Sequence, residues 1–280
     1  MNLICKLLFY LGESLPGYFV LYLLKVFILI NKESVKQLDY RGLLPVHYAA
    51  RFADLSCISF LLDLYPESIT AMTNPGGNNL IHCAMFNSTP EVLIYLCGRL
   101  PLPEFGHKYN FEGYTPLHGY LRYKNTLICA KMVSIICDNC PDVVKLPTGT
   151  AGSQLPLHLF ITTMRQKIFE PVSPEADVFR LLLRLYPAAA NMKRKNGNGL
   201  NSYYEAGLCG MNTYFLRLLL RADMSINPQH LFHYNYQERR MALFISSGKA
   251  IFGGSAIKAG IWRKLWMEKK DLLREVVSYL

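Results

Sequence analysis

Four histidines offer the first candidate chemistry. His47, His82, His118 and His158 are spaced by 35, 36 and 40 residues. An imidazole can bind a metal, move a proton or satisfy a buried hydrogen bond. A metal centre needs its ligands within about 2 Å of one ion. Near-regular spacing of this length instead deals one histidine to each of several like units, so all four read as structural and no metal is assigned. Cys137-Asp138-Asn139-Cys140 is a Cys-x-x-Cys with no second pair. Cys137 falls on an apolar helix face and Cys140 just before a proline, which reads as core packing. Ser247-Gly248-Lys249-Ala250 has the lysine of a phosphate loop, but Leu243 stands where a glycine is required and Ala250 where a hydroxyl is required. Gly-x-Ser-x-Gly, His-Glu-x-x-His and kinase signatures are all missing. The carboxylates are few, and none is paired for acid–base work. The sequence therefore proposes no enzyme, no cofactor and no small-molecule substrate.

The elements that carry the histidines repeat. Pro66, Pro101, Pro141 and Pro187 follow them by 19, 19, 23 and 29 residues. From each proline to the next anchor (His82, His118, His158 and Tyr204) the distance is 16, 17, 17 and 17. One half of each unit is thus nearly constant, and the extra residues fall between the two helices of the fourth and fifth units. Stacked repeats tolerate insertions confined to one loop. First helices are predicted to begin near Pro45, Leu80, Pro116 and Pro156, and second helices to end near the four prolines. Five residues before the anchor stand Gly42, Gly77, Gly113 and Gly199, with Ser153 in the fifth unit. Glycine there suits a left-handed turn. Asp39, Asn74, Asn110, Asn196 and Thr150 stand three residues earlier, where short polar side chains bond the turn backbone.

Leu44-Pro45-Val46-His47 with Ala49-Ala50 and Leu61-Leu62, and above all Gly113-Tyr114-Thr115-Pro116-Leu117-His118, resemble the ankyrin repeat. The resemblance covers Gly17–Asp223 and is specific in units two to four. Units ending in Tyr-Pro, as at Tyr65-Pro66 and Tyr186-Pro187, look like those of ankyrin families of unicellular eukaryotes. It implies an all-α, ankyrin-like helix-turn-helix solenoid with short hairpin finger loops. It further implies histidines that bond the turn backbone of their units, and a non-catalytic scaffold for a protein partner.

Residues 1–223 are assigned to the array and 224–280 to a helical C-terminal cap. Within Met1–Asn31 only Lys6, Glu13 and Lys25 are charged. The segment lacks the leading positive charge of a signal peptide, and Leu15–Ile30 is shorter than the ~20 residues of a span. We read 1–31 as a degenerate first repeat, with Gly17–Ile30 in the second-helix position. Eight cysteines scattered through apolar stretches read as reduced, which points inside the cell, to cytoplasm or nucleus. The net charge is +10. Lys193-Arg194-Lys195 is a short basic cluster without interleaved aromatics, weak support for nucleic acid. A basic, amphipathic last helix over Ala256–Leu280 and the apolar N-terminus leave a competing reading, a peripheral adaptor on a membrane surface.

Counting from the anchors, finger tips fall at Asp39-Tyr40-Arg41, Asn74-Pro75-Gly76, Asn110-Phe111-Glu112 and Asn196-Gly197-Asn198. Outward positions of the first helices fall one, four and five residues after the anchor. Tyrosine and arginine dominate interface hot spots. Tyr40, Arg41, Tyr48, Arg51, Phe52, Phe111, Arg122 and Tyr123 are therefore expected to form one partner-binding surface.

Overall fold

The computed structural model describes residues 2–87, 89–100, 104–123, 128–164, 170–194, 201–211 and 213–223. All lie within one compact unit, Met1–Asn227. The cap assigned to 224–280 and the finger at Asn196-Gly197-Asn198 lie outside the described residues.

The described chain is all-α. Apart from one isolated bridge, Lys193 to Asn201, no strand pairing occurs among the described residues. Among the described residues, twelve of the helices come in six pairs. The first is α1 (Leu3–Leu11) with α2 (Gly17–Ile30), and the second is α3 (Pro45–Phe52) with α4 (Leu55–Leu64). Next come α5 (Leu80–Ala84) with α6 (Pro90–Arg99), then the short α7 (Glu104–His107). After it follow α8 (Pro116–Tyr123) with α9 (Ala130–Asn139), α10 (Pro156–Thr163) with α11 (Pro174–Leu185), and α12 (Ser202–Leu208) with α13 (Thr213–Ala222). First helices touch first helices, in the order α1, α3, α5, α8, α10, α12. Second helices touch second helices, in the order α2, α4, α6, α9, α11, α13. The result is two rows of helices with the apolar core between them.

Local chemistry explains the starts and stops. Pro45, Pro90, Pro116, Pro156 and Pro174 each open a helix, where a missing N–H leaves no bond unmade. Asp54, Asn79, Ser173 and Asn201 accept the N–H of the residue three on, capping α4, α5, α11 and α12. Pro66, Pro141 and Pro187 end second helices and start single 3₁₀ turns, Pro66–Thr70, Pro141–Lys145 and Pro187–Ala190. The turn Lys32–Lys36 after α2 has the same form. The N-terminal segment thus has the helix–helix–3₁₀ layout of the second, fourth and fifth units, with α2 in the second-helix row.

Between pairs the chain makes a finger. Gly42, Gly77 and Gly113 adopt φ of 69°, 66° and 78°, and Ser153 takes the same left-handed region at 42°. Asp39 Oδ1 accepts the N–H groups of Arg41 and Leu43, and Asn110 Oδ1 those of Glu112 and Tyr114. In the third and fifth units this work falls to Thr73 and Thr148, whose hydroxyls accept the N–H of Asn78 and Gln154. That differs from the expected Asn74 and Thr150. The loops closed by Thr73 and Thr148 are longer, so the closing side chain sits one or two residues earlier.

Candidate partner-binding face

Each anchor histidine starts the first turn of its helix and ends on the next unit. His47 Nδ1 accepts the Leu44 N–H (3.0 Å), His82 Nδ1 that of Asn79 (3.3 Å) and His158 Nδ1 that of Leu155 (3.3 Å). That leaves Nε2 as the protonated nitrogen. It donates to the carbonyls of Ala71 (3.3 Å), Tyr114 (3.0 Å) and Met192 (2.9 Å), all in the arms of the following finger. His118 bonds Thr115 Oγ1 through Nδ1 (2.8 Å). Its Nε2 lies near the Gln154 and Leu146 carbonyls without good hydrogen-bond geometry. All four rings are buried, and burial pulls each well below the ordinary imidazole value, to about 4. Among the described residues no three His, Cys, Asp or Glu side chains converge as a metal site.

The fingers stand in a row because backbone links them. Asn74 N–H donates to the Gly42 carbonyl (3.2 Å), Phe111 to Gly76 (2.9 Å) and Gly149 to Gly113 (2.8 Å). A Cβ on Gly42 would lie 1.6 Å from the Asn74 carbonyl oxygen, so the turn needs glycine for contact as well as for φ. Further cross-unit bonds run below the tips. Asn79 Nδ2 donates to the Phe105 carbonyl (2.8 Å), and Asn87 Nδ2 to the carbonyls of Ala50 and Ala53 (2.9 and 2.8 Å), closing the C-terminus of α3.

Tyr40, 71% exposed, and Phe111, 74% exposed, stand at two tips. Arg41 lies over the Tyr40 ring (5.1 Å) and donates to its hydroxyl (2.7 Å). At the end of α3 the Arg51 guanidinium is 5.1 Å from the rings of both Phe52 and Phe86. Arg51 and Arg122 are exposed and Phe52 is half-buried. Tyr123, exposed at the end of α8, donates to Glu112 Oε2 (2.6 Å) and packs its ring edge-on to Tyr114. Among the described residues no carboxylate pairs with Arg41, Arg51 or Arg122.

Tyr48 corrects one expectation. It is 3% exposed, not outward, and its hydroxyl donates to Asp39 Oδ2 (2.6 Å). Cys83 and Gly119, the equivalent residues of α5 and α8, are buried too. In α3 the first turn is tied to its own finger through Tyr48 and Asp39, and Arg51 and Phe52 emerge in the second turn. Asn87, also counted outward, is buried by the bonds just described. The Asp39–Tyr48 pair is electrostatically tuned. Burial pushes the Asp39 carboxyl up, but the Tyr48 hydroxyl and the N–H groups of Leu43 and Arg41 outweigh it and hold it below the ordinary carboxylate value. Burial and that carboxylate push Tyr48 well above the ordinary phenol value, so it stays a hydroxyl donor. The contact joins a finger to the helix beneath it, a pairing that helical spacing alone does not give.

Two aromatics absent from the expected set extend the line. Phe86 joins Arg51 to Tyr120 (ring centroids 6.2 Å), and Phe9 of α1 packs edge-on against Phe52 (5.2 Å) and Tyr48 (6.1 Å). Of the sulfur pair, Cys137 is pushed up to about 12 and Cys140 also upward, both by burial, which keeps them inert thiols.

No protein-family model matches the chain, and no curated protein matches it. Among solved structures it is similar to a chain of the complex of a predatory endopeptidase from Bdellovibrio bacteriovorus with an immunity protein. The TM-score is 0.53 at 20% identity, covering 77% of this chain and 97% of that one. At that identity the likeness concerns the fold alone.

Proposed function

We propose that the chain is an ankyrin-type solenoid that works as a non-catalytic scaffold, binding a protein partner on the face made by its finger tips and the ends of its first helices. One observation carries the reading. Arginines and aromatics recur on that side at Tyr40-Arg41, Arg51-Phe52 and Arg122-Tyr123, all exposed but the half-buried Phe52, and among the described residues none of these arginines pairs with a carboxylate. Arg51 between Phe52 and Phe86 is the best formed, because its guanidinium edge stays free to donate while its flat face is already packed. Side chains ordered before binding lose less entropy when a partner arrives. The two-row stack, the left-handed turns and the anchor histidines support the ankyrin identity. The complex in which the similar chain was solved gives loose support to a protein partner. Eight reduced thiols fit a place inside the cell.

The test is capture of partners from the native cell with wild-type protein and two variants. Arg51→Ala with Tyr123→Ala removes the proposed face. Ser59→Ala with Asp63→Ala alters the second-helix side. Partners retained by the second variant and lost by the first, with both variants folded, are the expected result. The reverse pattern would assign binding to the other side of the stack.

A further inference from the structure

Eight of the nineteen large apolar side chains exposed among the described residues belong to α1 and α2. On α2, Tyr18, Tyr22, Lys25 and Leu29 follow one another at helical spacing, opposite the buried Val20, Leu24 and Ile28. Tyr18 is 76% exposed, Leu29 75% and Ile30 78%. On α1, Leu3, Lys6 and Tyr10 form a like stripe opposite Ile4, Cys5 and Leu8. Leu3 and Tyr10 on the one stripe and Tyr18, Tyr22 and Leu29 on the other stay exposed in the stack. A patch of this kind marks an interaction surface.

Charge and size select the occupant. Residues 2–36 carry four lysines, Lys6, Lys25, Lys32 and Lys36, against two glutamates, Glu13 and Glu33, and all six are exposed. Lys36 lies 4.0 Å from Glu33. Lys25 stands midway along the apolar stripe, its ammonium 5.5 Å from the Phe60 ring of α4. A second copy meeting this face about a two-fold axis would bring Lys25 toward its own mate. The footprint is also small. At about 1.5 Å rise per residue and about 10 Å per helix width, the pair offers on the order of 400 Å². A standard protein interface takes about 800 Å² from each partner. A bilayer asks for neither self-complementarity nor a minimum area. It rewards tyrosine rings at headgroup depth, aliphatic tips beneath them and lysines that reach anionic headgroups.

We propose that the outward side of α1 and α2 is a membrane-docking face that rests on an anionic lipid surface. It adjoins the proposed partner-binding face, since Tyr10 packs edge-on to Phe9 and Phe9 to Phe52, but it does not depend on that reading. Docking here leaves the finger tips free, so the stack can hold a protein partner next to the membrane.

The experiment is sedimentation of the full chain with vesicles of phosphatidylcholine, with and without phosphatidylserine, checked by circular dichroism and by analytical ultracentrifugation without lipid. Binding to the phosphatidylserine vesicles, weakened by added salt and cut about tenfold or more by Tyr22→Glu with Leu29→Glu, is the expected result. Lys25→Ala should narrow the preference for phosphatidylserine over phosphatidylcholine alone. Should the double variant misfold, Tyr18→Ser with Ile30→Ser serves in its place. The proposal is overturned if the chain ignores both vesicle types. It is equally overturned if binding survives the α2 variants, which would move the contact elsewhere, including residues 256–280. A lipid-free dimer that these variants abolish, without vesicle binding, would make the face a contact between copies.

Discussion

The finger-bearing units and the N-terminal pair share one layout but are held by different forces. From α3 to α12, neighbouring units exchange directional bonds. The Gly42, Gly76 and Gly113 carbonyls accept from the next finger, three histidines donate to the next unit, and Asn79 and Asn87 reach across. The α1–α2 pair joins the stack through Ile4, Leu8, Val20, Leu24 and Ile28, with a long Cys57 Sγ contact to the Gly17 carbonyl (3.9 Å) as a polar link. Directional bonds demand particular residues at fixed places. Apolar packing accepts any side chain of about the right volume. The first kind of unit should therefore respond to protons and to turn chemistry, the second to lost volume.

Protons should have the largest effect. The four anchor histidines are neutral in the folded chain down to about pH 4, while in the unfolded chain they titrate near their ordinary 6.5. Above 6.5 both states are neutral and the stabilisation is complete. As pH falls from 6.5 toward 4 the unfolded chain takes up protons that the folded chain refuses, so stability drops, by up to ~1.4 kcal/mol per pH unit for each histidine. Glu205 runs the other way. Burial raises its carboxyl to about 7 although Arg194 lies 2.7 Å away, so it binds its proton in the folded state and offsets one histidine of four. Urea unfolding at pH 7, 6, 5 and 4 measures this. A flat profile would mean that the rings are not sealed as described.

The second test compares two leucines of α2. Leu24 is fully buried against the stack and Leu29 is exposed. Leu24→Ala should cost about 2–5 kcal/mol. Leu29→Ser should stay within about 0.5 kcal/mol, as exposed substitutions do. Equal losses at the two positions would show that Leu29 is covered in solution, which would count against a free docking face.

This division explains what the sequence made readable. The histidines, the finger glycines and the helix-ending prolines each answer a geometric demand, so they recur at countable spacing and locate the helix starts at Pro45, Leu80, Pro116 and Pro156. The layout of α1 and α2 could be read by extending that period, because Asn31 stands where Pro66, Pro141 and Pro187 stand. The side proposed to face a partner was legible only in part. Arg51, Arg122 and the tips Tyr40 and Phe111 are exposed, but Tyr48 is not, because helical spacing says nothing of a loop folding back over the first turn. Asn87 was misplaced for another reason: its carbonyl partners Ala50 and Ala53 lie in the preceding unit. Phe9 could not be paired with Phe52 at all, because their contact crosses from a unit with no finger or anchor to count from.

The smallest effect isolates the turn itself. Three fingers place glycine at the left-handed position, and the fifth unit places Ser153 there at φ 42°. A side chain in that region costs about 1–2 kcal/mol. Glycine removes the strain but adds about 0.5–1 kcal/mol of backbone entropy to the unfolded chain. Ser153→Gly should therefore stabilise by a few tenths to about 1 kcal/mol. The Ser153 N–H bond to the Thr150 carbonyl (3.0 Å) is untouched, since it belongs to the backbone. The converse change, Gly42→Ala, places a methyl against the Asn74 carbonyl as well as at positive φ, and should lose about 1–3 kcal/mol. Thermal unfolding of both variants beside wild type resolves the signs. If Ser153→Gly destabilises, the serine side chain contributes a contact that outweighs its strain, and the fifth finger differs from the others in more than its sequence.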